Sequence, residues 1–158
     1  MNKQIETITK NKTRGALHLT QQVDYGILIL ATLANTGKDR SAAKKEPIST
    51  SIKQIAEENN LSFLFLQKIA QKLLKAKLLK SERGKFGGYK LTKKPEKITL
   101  KEIIEGLEGK ISVVPCLRAD TTTCCKKNKK CAIKNQLSVL NKEMEDFFLS
   151  KTLATFTK

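Results

Sequence analysis

Two short stretches of helical apolar spacing flank a polar break, and a glycine-rich hairpin sequence follows them; this order constrains the fold more than any other feature of the chain. Ser51, with Gln54 three residues on, has capping-box spacing, and Ile52, Ile55 and Ala56 form the inner face of a short helix. Asn59 and Asn60 break it. Leu61 leads into Ser62, a favourable N-cap residue, and Leu66, Ile69, Ala70 and Leu73 predict a second helix to about Lys77. Its other side shows Lys68, Lys72 and Lys75, four and three residues apart, as one basic face. After Leu78 and Leu79, three glycines interrupt two strand-like pieces between Ser81 and Thr92, the pattern of a hairpin. A helix pair joined by a tight turn and followed by a hairpin is a helix-turn-helix with a wing.

The rest of the chain is arranged around this unit. Residues 1–18 have no steady apolar period and read as a basic tail. From Thr20, the positions Val23, Ile27, Leu30 and Ala34 fall at helical spacing, with Leu28, Ile29 and Leu33 widening the stripe, and Asn35 and Gly37 are expected to end that helix. Lys38 to Pro47 reads as a charged loop. Thr99 and Glu102 form a second capping-box pair, opening a helix to Gly106 or Gly109. Ile133, Leu137, Leu140, Met144 and Phe147 then step by four, three, four and three, a heptad seam suited to a dimer helix. The fold class is mainly α: a winged helix-turn-helix with a three-helix core and β-hairpin wing, plus a long C-terminal dimerisation helix. The expected division is a tail at 1–18, a DNA-binding domain at 19–100 and a sensing and dimerisation region at 101–158.

Charge narrows the partner. The chain of 158 residues carries 31 Lys and Arg against 15 acids, a net charge of +16, and only Arg14, Arg40, Arg83 and Arg118 are arginines. Lys68 to Lys101 holds twelve cations and two acids, Glu82 and Glu96, a local balance of +10 on the second helix and the hairpin. Lysines that neutralise phosphates release condensed counterions, so this segment is built for duplex DNA rather than for a neutral ligand. No apolar run approaches eighteen residues and the first eighteen hold no export-type apolar stretch, so the expectation is a cytoplasmic protein with no membrane segment. With one histidine, His18, and no acid pair or phosphate-type glycine loop, the chain has no complete catalytic set and is read as a non-enzyme.

At this point the residues resemble a known family. Leu19-Thr20 with Asp24-Tyr25, then Ile55-Ala56-Glu57, Ser81-Glu-Arg83-Gly84, Gly87-Gly88-Tyr89-Lys-Leu91, the run Ile98 to Ile104 and Thr152-Leu153 are similar to the Rrf-two-type winged-helix regulators of bacteria. The resemblance runs from Leu19 to Phe156. It implies a homodimer on a double-stranded operator, with the second helix in the major groove and the wing arginine in the minor groove. Carried over by position, Ser62, Leu64, Phe65 and Gln67 face base edges and Arg83, with Lys85, belongs to the wing; Lys68 and Lys72 are phosphate contacts. The chemistry agrees for Gln67, whose amide pairs with adenine, and for Arg83, which suits a narrow electronegative groove. Phe65 has an alternative as a packing residue. Leu64 departs from the polar residue common among relatives and can read only a thymine methyl.

Cys116, Cys124, Cys125 and Cys131 lie within sixteen residues, among Lys126, Lys127, Lys129 and Lys130. Neighbouring cations favour thiolates, the form that binds metal or meets oxidants. From the residues alone a zinc site, a thiol switch and inert thiols all remain open, although the paired Cys-x₂-Cys spacing of structural zinc is absent. The resemblance implies an iron–sulfur cluster, 2Fe–2S or 4Fe–4S, on Cys116, Cys125 and Cys131, with Cys124 as the alternative to Cys125. Iron–sulfur assembly regulators of this family carry a histidine where this chain has Lys134. Nitric-oxide-sensing relatives use an acid of the first helix reached across the dimer, and Asp24 occupies that position; a further histidine variant is replaced by Leu28. The implied signals are iron–sulfur status, nitric oxide or redox state. The alternative is the same dimer without a cluster, governed by a thiol switch, zinc or a small metabolite.

Overall fold

The computed structural model describes residues 19–39, 50–82, 87–118 and 131–157. Helix α1, Gln21–Asp39, begins where Thr20 Oγ1 accepts a hydrogen bond from the Val23 amide at 3.3 Å. Its buried residues, Val23, Ile27, Ile29, Leu30, Ala31, Leu33 and Ala34, cover more than one face, which makes it the central helix. The expected stop at Asn35 and Gly37 is corrected, since the helix continues to Asp39. Asn or Gly inside a helix costs about 1 kcal/mol or less, a small penalty beside the burial of Leu30, Leu33 and Ala34. Lys38 and Asp39, expected in the loop, are helical, and residues 40–49 lie outside the described residues, as does the tail at 1–18.

Helix α2, Ile52–Glu58, is capped by Ser51, whose hydroxyl accepts from the Gln54 amide at 3.0 Å. Only half of the expected capping box forms, because the Gln54 side chain donates forward to Glu58 at 2.8 Å. Helix α3, Phe63–Lys75, buries Leu66, Ile69, Ala70 and Leu73. Ser62 stands at its N-cap without a side-chain capping bond. Both helices end the same way. Asn60 and Lys77 take left-handed backbone angles, φ 53° and 57°, while the next amides, Leu61 and Leu78, return to the carbonyls of Ala56 and Leu73 at 2.9 and 3.0 Å. These are Schellman closures, and they make the turn between the helices tight and direct the chain from α3 into the hairpin.

Strand β1, Leu79–Glu82, pairs antiparallel with β2, Gly88–Leu91, in the register Leu79 to Leu91 and Glu82 to Gly88, and Lys90 makes an ion pair with Glu82. Thr50 adds a bridge to Tyr89 through two backbone hydrogen bonds of 3.2 and 3.0 Å. That bridge sits so close that a Cβ on Gly88 would lie 2.7 Å from the Thr50 carbonyl oxygen. The hairpin tip, 83–86, lies outside the described residues.

Helix α4, Leu100–Glu108, has the complete capping box expected of Thr99 and Glu102, with both bonds at 3.1 Å, and it stops at Gly109. It packs against the end of α3, where a Cβ on Gly106 would lie 2.7 Å from the Ala76 methyl carbon. Helix α5, Lys134–Ser150, has no buried residue. The chain then returns: Thr152 bridges Thr99, and the fully buried Leu153 donates its amide to the Ile98 carbonyl at 2.8 Å. Leu100, Ile103, Leu107 and Leu153 share one apolar core with α1, α2 and α3. The expected division at about residue 100 therefore runs through a continuous core. The mainly helical architecture with a two-stranded wing is the one expected from the sequence.

Candidate nucleic-acid interface and cysteine segment

Helix α3 turns Leu64, Lys68, Gln71 and Lys75 to solvent at spacings of four, three and four, the complement of its buried stripe. Lys68 and Lys75 enter no ion pair among the described residues. Ser62 and Phe63 are exposed at its start, and Gln67 is half-buried along its edge. The Phe65 ring lies edge-to-face on Tyr25, centroids 5.7 Å apart, so it holds α3 against α1. Lys72 turns aside as well: its ammonium donates to Gln22 Oε1 at 2.7 Å and to the Leu107 carbonyl at 3.0 Å, closing the C-terminal end of α4. Gln71 and Phe63 were not among the expected contacts. Continuing the helical period from Leu64 and Lys68 would have found Gln71. Arg83 and Lys85 lie outside the described residues.

The cysteine segment is tied to the fold by a short polar chain. The Val113 amide donates to Asn141 Oδ1 at 2.9 Å, Asn141 Nδ2 donates to Glu145 at 2.7 Å, and Lys101 donates to the other Glu145 oxygen at 2.6 Å. The hydrogen bond to Glu145 holds the Lys101 ammonium above its ordinary pKa, against the burial that lowers it, with Glu105 and Asp146 adding attraction. Three residues past Val113, Cys116 sits in the 3₁₀ turn Pro115–Leu117; Cys131 leads into α5, its carbonyl accepting from the Lys134 amide at 3.4 Å. Both are free, half-buried thiols. Cys124 and Cys125 lie outside the described residues, as do the neighbouring lysines 126–130 and His18. Asp24 is exposed in the first turn of α1, where the helix dipole favours its charge. Lys134 is exposed at the start of α5, and Leu28 is half-buried. Among the described residues no three Cys, His, Asp or Glu side chains converge. The donor types do fit an iron–sulfur group, thiolates with one oxygen. The described donors of a single chain do not assemble it.

The family model described as "Rrf2: Iron-dependent Transcriptional regulator" matches residues 19–158. The chain belongs to the Rrf2 family. Among Rrf2 relatives it is 31% identical over 121 residues to the HTH-type transcriptional regulator NsrR of Shouchella clausii, covering 77% of this chain and 75% of that one. It is 42% identical over 93 residues to the HTH-type transcriptional regulator CymR of Bacillus subtilis, covering 59% and 62%. Of solved structures, CymR of B. subtilis, described as the global cysteine regulator, superposes with TM-score 0.65 at 31% identity over 90% of this chain and 99% of that one. T. potens IscR does so with TM-score 0.63 at 29% identity over 88% and 85%. The winged-helix fold is thus that of the Rrf2 regulators, and the relatives are transcription regulators, which bears out the non-enzyme reading. Among the described residues no helix is long and apolar enough to cross a membrane.

Proposed function

We propose that this Rrf2-family chain is a homodimeric operator-binding regulator whose affinity for duplex DNA is set by the state of its cysteine segment. The observation that carries the DNA reading is the outward face of α3, where Lys68 and Lys75 enter no ion pair among the described residues and stand beside Leu64 and Gln71. In this arrangement α3 enters the major groove, Lys68 meets phosphate, Arg83 and Lys85 serve the wing, and Ser62, Leu64 and Gln67 face the bases. Two copies associate through the heptad face of α5, on which Leu140 and Phe147 stay exposed in the single chain. That places two copies of α3 for half-sites about one DNA turn apart.

The sensing group is an iron–sulfur cluster on Cys116, Cys125 (or Cys124) and Cys131, with Asp24 from across the dimer. When bound, such a cluster supplies a centre that reacts with nitric oxide or oxidants and is lost when iron is scarce. The chain's own residues carry the consequence. Asn141 holds the Cys116 segment to α5, Glu145 and Lys101 hold α5 to α4, and Lys72 with the close Gly106–Ala76 contact holds α4 to α3. A change of position at Cys116 therefore bears on the DNA-reading helix.

A second reading is favoured by the free thiols of Cys116 and Cys131: a thiol switch without a cluster. A CymR from Staphylococcus aureus, 28% identical with TM-score 0.59, has been solved in an oxidized form. The deciding experiment is anaerobic purification followed by an absorption spectrum with iron and sulfide assays. Brown protein with matching iron and sulfide supports the cluster; colourless protein that does not reconstitute, but changes DNA affinity on thiol oxidation, supports the switch. The DNA reading is tested separately by the salt dependence of binding to a selected duplex, where six phosphate contacts give a log–log slope of about −5 and Lys68→Ala lowers its magnitude by about 1.

A further inference from the structure

The first turn of α3 places two large apolar side chains in water. Leu64 is 68% exposed and Phe63 41% exposed, while the rest of the outward face is Lys68, Gln71 and Lys75. The two are not equivalent. Phe63 borders a shallow hollow with Ala56, Asn60 and Leu61, so part of its ring is sheltered by α2; Leu64 does not line that hollow and is the more exposed of the two. A leucine at this place neither donates nor accepts a hydrogen bond, and nothing among the described residues covers it.

We propose that Leu64, flanked by Phe63, is a specificity determinant that reads the 5-methyl group of thymine in the operator. The inference rests on α3 being the DNA-reading helix and goes beyond it by naming the base feature. The first turn of such a helix is where side chains meet base edges in the major groove. The largest apolar feature that the major groove offers is the thymine methyl; the other base pairs present mainly donors and acceptors there. A guanine or cytosine opposite Leu64 would have a polar edge stripped of water with no partner in return, which disfavours it. The cations on the same face, Lys68 and Lys75, match a polyanion and set this surface apart from an apolar protein-docking face. The operator half-site thus carries a thymine under Leu64.

The test uses the full-length chain and duplexes enriched by it from a random-sequence pool. Each thymine of the enriched half-site is replaced in turn by deoxyuridine, which removes the methyl and leaves every hydrogen-bonding group in place. For the unaltered chain, uracil at one or two positions is expected to weaken binding about fourfold, the worth of one buried methyl. Leu64→Ala is expected to bind the thymine duplex more weakly and to lose the thymine–uracil difference at one of those positions, while Leu64→Met retains it. Because Leu64 is exposed, neither substitution should shift the thermal melting of the free protein. Equal affinity for thymine and uracil at every position overturns the inference, as does a Leu64→Ala protein that keeps the discrimination. A Leu64→Ala protein with unchanged DNA affinity but weaker self-association assigns the tip to a second copy and also overturns it. Failure of the pool to yield any salt-dependent, sequence-specific duplex overturns the DNA reading itself.

Discussion

Helices α3 and α5 are both amphipathic in sequence, yet the fold treats them in opposite ways. In α3 the apolar stripe is consumed: Leu66, Ile69, Ala70 and Leu73 are buried among α1, α2 and α4. In α5 it is not. Leu140 and Phe147 remain 45% and 56% exposed, no residue of the helix is buried, and its grip on the rest of the chain comes from Glu145, Asn141, the partly buried Phe148 and the returning Leu153. Periodicity announces that a helix has an apolar face. It does not say whether the partner of that face is in the same chain.

The contrast can be broken or sharpened by substitution. The largest effect is expected in the core: Leu66→Ala should lower the unfolding free energy by about 3 kcal/mol in urea denaturation, since it leaves a cavity under α3. Next comes the seam. Leu140→Asp should leave the unfolding free energy, measured at concentrations where the chain is monomeric, within about 0.5 kcal/mol, as an exposed site does, yet weaken self-association at least thirtyfold in sedimentation equilibrium. A loss of stability comparable to that of Leu66→Ala would place α5 in the core and erase the contrast.

Smaller effects come from the helix starts. Ser51→Ala and Thr99→Ala each remove a formed side-chain cap and should cost about 1 kcal/mol by chemical denaturation, whereas Ser62→Ala, whose hydroxyl makes no capping bond, should cost clearly less. The smallest is a pH dependence. Burial pushes the Glu102 carboxyl up, but the Lys93 ammonium at 2.5 Å and the Thr99 amide outweigh it and hold the pKa below its ordinary 4.5. A carboxyl depressed in the folded state stabilises above the unfolded pKa and loses that contribution as pH falls through the folded one. Stability curves measured between pH 6 and pH 3 should therefore fall less steeply for Glu102→Gln. Lys101 has the opposite sign: its ammonium is raised above the ordinary 10.5, so its contribution is lost only as pH climbs past that value, and Lys101→Met should flatten the alkaline limb.

Most of the winged helix was legible because its signals are local. Ser51, Thr99 and Glu102 act within four residues of chain, and the Ile52–Ala56 and Leu66–Leu73 stripes follow directly from helical geometry. Asn35 and Gly37 misled because a weak local preference was weighed without the tertiary burial that overrides it. Phe65 and Lys72 show the same limit within the candidate interface. Their spacing placed them on or beside the outward face; what it could not show is that the Phe65 ring meets Tyr25 and that the exposed Lys72 bonds Gln22 and the end of α4. None of those partners is near in sequence, so no window along the chain contains them.

By itself the sequence determined the helix-turn-helix with its wing, the basic character of the segment from Lys68 to Lys101 and the apolar seam of the last helix, because each depends on residue type and short-range period. Only the tertiary structure decided which cations close contacts between helices. Lys68 and Lys75 face solvent while Lys72 and Lys101 close contacts between helices. It also decided that the cysteine segment is tied through Asn141 and Glu145 to the same core that carries α3. The reason is physical: a charge finds its partner by proximity in space, and that proximity is created by burying apolar faces distant from one another along the chain.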